Sequence, residues 1–201
     1  MNPTAEQAAI ADAYVRGTRR MVIQARAGTG KTTTLRYLAE VAEHRRILYM
    51  AFNKAVVEDA KAAMPRNVRC YTAHALAFRD VGKAYQHRFK SARMPSAQIA
   101  RILGIHSHTV TNTHGASTLL QPAALAGMVM AAVQRFTMTA DPTITVDHVM
   151  AMEALDDAGN ADLARHLFPF MEAAWADLTD VDGRLRYFQG AYLKQWQLTH
   201  P

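Results

Sequence analysis

Residues Ala25–Thr32 read A-R-A-G-T-G-K-T, between the apolar run Met21-Val22-Ile23 and the helical pattern Thr33-Thr34-Leu35-Arg36-Tyr37-Leu38. Strand, Gly-rich turn and helix in that order form the context of a phosphate-binding loop. Gly28 and Gly30 can take φ > 0 and turn backbone N–H groups inward around a polyphosphate. Lys31 offers a point charge to the β/γ-phosphates, and Thr32 offers a hydroxyl to Mg²⁺. The N-terminus of the following helix adds unpaired N–H groups and partial positive charge. Ala25 stands where the standard pattern has its first Gly, a cheap exchange if that residue keeps an ordinary φ. The alternative is a Gly-rich strand-to-helix turn with a chance Lys. It does not account for strand, loop, G-K-T and helix occurring in series. The predicted ligand is a nucleoside triphosphate, held by Ala25, Arg26, Ala27, Gly28, Thr29, Gly30, Lys31, Thr32 and Thr33.

The loop sits in a repeating pattern. Thr4-Ala5-Glu6-Gln7 has the Thr-x-x-Gln form of a capping box, and Ala8, Ile10, Ala11, Tyr14 and Val15 give a helical apolar face ending at Gly17. Met21 to Gln24 reads as a short buried strand, and the helix after the loop runs to about His44. Ile47 to Phe52 is a second strand. Asn53 caps a helix that stops at Pro65. Val68 to Thr72 is a third strand, with Val68, Cys70 and Thr72 on one face. A helix from Ala73 to about Gln86 follows. The first ninety residues therefore read α-β-α-β-α-β-α. This order implies a mostly parallel sheet covered on both faces, with ligands at the carboxyl ends of its strands.

Strand signals fade beyond about Lys90. Ser96–Leu103 is a short helix, and Gly104 to Ser117 is a polar stretch read as a solvent loop. Its residues His106, His108 and His114 lack a standard metal-site spacing. Pro122 to Met138 and Val146 to Leu155 read helical, Gly159-Asn160 as a break, and Ala161 to Leu178 as helical with Pro169 as a kink or break. Tyr187 to Leu198 is a last amphipathic helix. The methionines at 128, 130, 138, 150, 152 and 171 read as core filler.

Charge follows the same division. Up to Arg101 there are 18 Lys+Arg against 7 Asp+Glu; from Ile102 onward there are 5 against 10. The basic excess lies with the phosphate loop and suits nucleic acid or nucleotide phosphates, although a solvated basic surface would look the same from charge alone. Cys70 is the single cysteine, so no disulfide framework or cysteine-based zinc site is expected. No signal pattern or membrane span is seen, and a cytoplasmic setting with no membrane partner is expected.

In series, these motifs resemble the N-terminal part of superfamily 1 DNA helicases of the UvrD/Rep type, and most of all the branch that includes the F-box DNA helicases. The matching stretches are Thr4–Gln7, Ala25–Thr32, Ala51-Phe52-Asn53-Lys54-Ala55 and Tyr71-Thr72-Ala73-His74-Ala75-Leu76-Ala77. Tyr192-Leu193-Lys194-Gln195-Trp196-Gln197-Leu198 is similar to a segment just before that branch's acidic metal motif. The resemblance implies an α/β fold: a RecA-like P-loop NTPase with a parallel sheet and a mainly helical insertion lobe. It divides the chain into the first part of the ATP-binding domain (1–90), the insertion (91–185) and a helix returning toward the core (186–201). It implies ATP and Mg²⁺ as cofactors, with Lys31 and Thr32 as the catalytic pair and the metal held through Thr32. Gln7 would read the adenine edge; the residues alone favour the other reading, that it only caps its own helix. Phe52, Asn53, Lys54, Thr72 and His74 would line a path for single-stranded DNA or a single-strand/duplex junction. Phe52 as core, Asn53 as a cap and His74 as a satisfied helix-start histidine are the alternatives.

Hydrolysis in this machinery needs a carboxylate for Mg²⁺ and usually a Glu that activates water. The family supplies them as an Asp-Glu pair, and this sequence contains no Asp-Glu dipeptide. The expectation is a chain truncated before that motif, inactive alone, whose partner would be a C-terminal helicase half. A small P-loop kinase or other NTPase, and a non-catalytic nucleic-acid-binding remnant, are the competing readings.

Overall fold

The computed structural model describes residues 2–90 and 92–199. His200 and Pro201, the end of the expected 186–201 segment, lie outside the described residues. The chain divides into two compact units, 1–76 and 77–201.

The first unit contains α1 (Ala5–Val15), α2 (Lys31–Val41), β1 (Ile47–Ala51), α3 (Lys54–Ala63), β2 (Val68–Thr72) and the start of α4 (Ala73–Asp80). The capping box forms as the sequence predicts: the Gln7 N–H donates to Thr4 Oγ1, and the Thr4 N–H donates to Gln7 Oε1. Strands β1 and β2 pair in parallel, from Ile47 opposite Val68 to Ala51 opposite Thr72. Helix α3 crosses between them, and its Val57 and Ala60 pack with Cys70, Tyr49 and Val68 on one face of the sheet. The expected strand at Met21–Gln24 is not formed: no described strand bonds to it, and Val22 is 87% exposed. An apolar run becomes a strand only when a neighbour completes its ladder, and no described strand does so here.

Asn67 fixes α2 against this sheet. Its amide donates to the carbonyls of Ala39, Ala42 and Arg45, at 3.0, 3.2 and 3.1 Å. The C-terminal end of α2 is thereby tied to the residue just before β2.

The second unit holds a 3-10 helix (Gly82–Lys90), α5 (Ser96–Leu103), a hairpin of β3 (His108–Thr111) and β4 (Ser117–Leu120), α6 (Pro122–Phe136), a 3-10 turn (Val146–His148), α7 (Asp157–Thr179) and α8 (Gln189–Thr199). Its core is built from α6 and α7 at helical spacing: Leu125, Val129, Val133 and Phe136 face Leu163, Leu167, Met171, Ala174 and Leu178.

Several expectations are corrected here. The α-helix expected to reach Gln86 ends at Asp80 and gives way to the 3-10 helix. The chain at Gly82 runs so close to Phe78 and Tyr192 that a Cβ would clash. The stretch read as a solvent loop is a hairpin. Asn112 Oδ1 accepts from the N–H groups of His114 and Ala116, and Gly115 takes φ 81°. His108 lies on β3, with Nε2 3.2 Å from Asp162 Oδ2 and its ring stacked on His166. Helix is absent from 149 to 155, where Asn160 instead bonds Met152 and Leu155 through its side chain. Gly159 and Pro169 do not break α7, because the buried apolar face outweighs the lost hydrogen bond. Among the methionines read as core, Met171 is fully buried, but Met138 and Met150 are 75% and 64% exposed.

Candidate nucleotide and nucleic-acid site

Every predicted site residue lies in the first unit. Gly28 and Gly30 have φ of 79° and 80°, and no described non-glycine residue has positive φ. Ala25 therefore sits in ordinary backbone, which alanine adopts without strain. Gly30 is the N-cap of α2 and has no side chain with which to cap it. The N–H groups of that first turn are thus left to other acceptors.

Lys31 folds back over the loop. Its Nζ donates to the carbonyls of Arg26 at 2.8 Å and Ala25 at 3.3 Å. The Thr29 hydroxyl donates to the same Arg26 carbonyl at 2.8 Å. Thr32 and Thr33 are exposed on the first turn of α2, and Arg26 and Ala27 are exposed on the loop.

Gln7 joins this site from another helix. Its Nε2 donates to Thr34 Oγ1 at 3.0 Å, and Thr34 Oγ1 donates to the Gly30 carbonyl at 3.1 Å. Thr34 is buried. Gln7 therefore caps its own helix and also links α1 to the loop. Sequence reading did not single out Thr34. Its signal is weak, because one of three consecutive threonines turns inward only by helical phase.

The second cluster follows from the strand register. Ala51 lies opposite Thr72, so the residues after β1 and those after β2 emerge side by side. Phe52 is 95% exposed, which removes it from the core. Asn53 Oδ1 accepts from the Val56 N–H at 2.9 Å and caps α3. Thr72 Oγ1 accepts from the Ala75 N–H at 3.1 Å and plays the same part for α4. Lys54 and His74 are exposed in the first turns of those helices. Helices α2, α3 and α4 carry no acidic residue in their first turns, so their positive ends are uncompensated. An aromatic face, a lysine and uncompensated helix ends are groups that receive bases and phosphates.

The residues present fit a nucleoside triphosphate. The loop offers left-handed glycines, a lysine held over it and an uncapped helix end, and Thr32 offers a hydroxyl for a divalent cation. Among the described residues no group of three metal-ligating side chains occurs, and no helix is long and apolar enough to cross a membrane.

A family model described as an AAA domain matches residues 2–163. The chain is 29% identical over 192 residues to F-box DNA helicase 1 of Gallus gallus, covering 89% of this chain and 18% of that protein. It is 37% identical over 100 residues to F-box DNA helicase protein 1 of Schizosaccharomyces pombe, covering 50% of this chain and 11% of that one. The chain thus spans less than a fifth of the length of these curated relatives. No solved structure matches significantly.

Proposed function

The chain belongs to the AAA-domain family of P-loop proteins, and on that premise we propose that it is the ATP-binding N-terminal segment of a UvrD-like DNA helicase. In the full-length protein it would help to couple ATP hydrolysis to single-strand translocation and duplex unwinding. Residues 1–90 would form the first part of the RecA-like domain, 91–185 the helical insertion and 186–201 the return toward the core. The observation that carries the reading is the Lys31 ammonium held 2.8 Å from the Arg26 carbonyl, over a loop whose Gly28 and Gly30 are left-handed.

Each residue has a distinct task in this reading. The loop backbone from Ala25 to Thr33 binds the phosphate chain, and Lys31 exchanges its carbonyl partners for phosphate oxygens. Thr32 holds Mg²⁺, which supplies charge neutralisation at the phosphates when bound. Gln7, steadied by Thr34, presents amide donor and acceptor capacity to the adenine edge. Phe52 stacks a base of the strand, and Asn53, Lys54, Thr72 and His74 contact its backbone, whether in single-stranded DNA or at a junction.

The sequence has no Asp-Glu pair to hold the metal and activate water. The 201-residue chain by itself would therefore bind ATP and turn it over negligibly. The test is direct binding of a fluorescent ATP analogue, with and without Mg²⁺, to the wild-type chain and to Lys31→Ala. Binding lost in the variant is expected. Equal affinity in both would refute the loop assignment, and robust DNA-stimulated turnover by the isolated chain would refute the account of the missing carboxylates.

A further inference from the structure

The second unit contains a cavity of about 590 Å³ that the phosphate loop does not use. Its size is within the range of small-ligand pockets, about 300–1,000 Å³. Aromatic and aliphatic side chains form its walls, among them Phe89, Tyr187, Phe188 and Met94, and it opens to solvent. Arg93 and Arg186 also line it, both exposed, and no carboxylate does so among the described residues. Neither guanidinium has an ion pair or hydrogen bond among the described residues.

One wall is rigid by construction. Asp177 accepts from the N–H groups of Arg184 and Leu185, both at 2.8 Å, and buried Arg88 donates to the Leu185 carbonyl at 2.6 Å. From there the chain alternates: Leu185 and Tyr187 turn inward, leaving Arg186 exposed and Phe188 half-buried. Tyr187 is stacked on Tyr85 at 4.3 Å and bonded by Gln195, so it cannot swing away. Phe89 meets it edge-on at 5.2 Å.

Fixed aromatic walls with unpaired arginines at the mouth suit a flat, apolar-faced group carrying negative charge. We propose that this cavity receives one nucleotide unit of single-stranded nucleic acid, its base against Phe188 and Phe89 and its phosphates at Arg93 and Arg186. The open mouth favours a strand, whose chain must enter and leave, over a free nucleotide. The inference rests on the helicase reading above and adds to it a second, separate strand contact in the helical lobe.

The test uses the full 201-residue chain and a fluorescein-labelled oligothymidylate, with affinity measured against salt. In Arg93→Gln/Arg186→Gln, loss of two phosphate contacts should flatten the slope of log K against log salt by about 1.4, at about 0.7 per contact. Phe188→Ala should weaken binding by about fivefold to 150-fold, the loss of one stacked base. ATP affinity and circular dichroism should be unchanged in both. Unchanged strand affinity in both variants, with weakening in Lys54→Ala, would overturn the inference and leave the helicase reading standing. Thymidine monophosphate binding as tightly as the oligomer and depending on the same arginines would overturn the choice of a strand. Absence of any strand binding by the wild-type chain would remove the helicase reading and this inference with it. If a variant fails to fold, photo-cross-linking of 4-thiothymidine oligomers to the wild-type chain decides. Cross-links on the peptides of Phe89 or Phe188 support the proposal, and cross-links confined to the first unit overturn it.

Discussion

Joint replacement of Gln7 and Thr34 tests whether the first helix and the phosphate loop form one structural element. Thr34→Val keeps the side-chain shape and removes two hydrogen bonds: the one received from Gln7 at 3.0 Å and the one given to Gly30 at 3.1 Å. At about 0.5–1.5 kcal/mol net per bond, the loss is about 1–3 kcal/mol. Gln7→Ala removes the same 3.0 Å bond and the Oε1 half of the capping box, again about 1–3 kcal/mol. The shared bond is counted in both single variants. The double variant should therefore fall short of their sum by about 1 kcal/mol, and the cap term cancels from the cycle. Urea unfolding read by far-UV circular dichroism is the assay. Indole fluorescence would miss the effect, because both tryptophans, Trp175 and Trp196, lie in the second unit. A coupling below about 0.3 kcal/mol would mean independent sites, and would refute the claim that Gln7 is held to the loop through Thr34.

Three further outcomes are expected. Phe52→Ala should weaken single-strand binding by about 1–3 kcal/mol while leaving the urea midpoint unchanged, since the ring is 95% exposed; a shifted midpoint with unchanged binding would contradict this. Asp156 accepts from the Thr113 hydroxyl and N–H and from the Gly159 N–H, which hold its carboxyl down to about 2. Its contribution to stability is complete above an ordinary aspartate pKa of about 3.9, and is lost as pH falls toward 2. Acid titration of Asp156→Asn should lack that part of the transition, and an unaltered profile would show that the carboxylate is not the group responsible. His166 is held below its ordinary pKa by burial, and secondarily by its stacked neighbour His108. A lowered histidine favours folding when neutral, so stability should fall as pH drops below about 6.5. His166→Phe should flatten that limb, as measured by thermal unfolding against pH.

What the sequence made legible was local. The Thr4–Gln7 box, the Asn53 cap and the two loop glycines each depend on partners within a few residues. The misreadings arise where a single side chain organises the backbone, or where a strand lacks a partner. Met21–Gln24 has the composition of a strand but finds no ladder. The hairpin at 108–120 is hidden by a turn that the Asn112 side chain organises. Asn160 looks like a helix breaker and instead anchors the irregular segment before α7. At the candidate site, the loop and the Phe52–Lys54 rim were readable from motif order. Thr34 and Asn67 were not, since their partners lie 22 to 28 residues away and nothing in their own neighbourhood marks them.

Three helices of the first unit begin without a carboxylate in their opening turn. A well-placed aspartate or glutamate there would return about 0.3–1 kcal/mol per helix. The unit thus keeps a reserve of electrostatic stability that only an anion can release. Linkage then makes its melting temperature a ligand sensor: inorganic phosphate, triphosphate and oligonucleotide should each raise it in proportion to their hold on these ends. Substituting Thr33→Asp or Lys54→Glu should raise the melting temperature without any ligand while blunting that response.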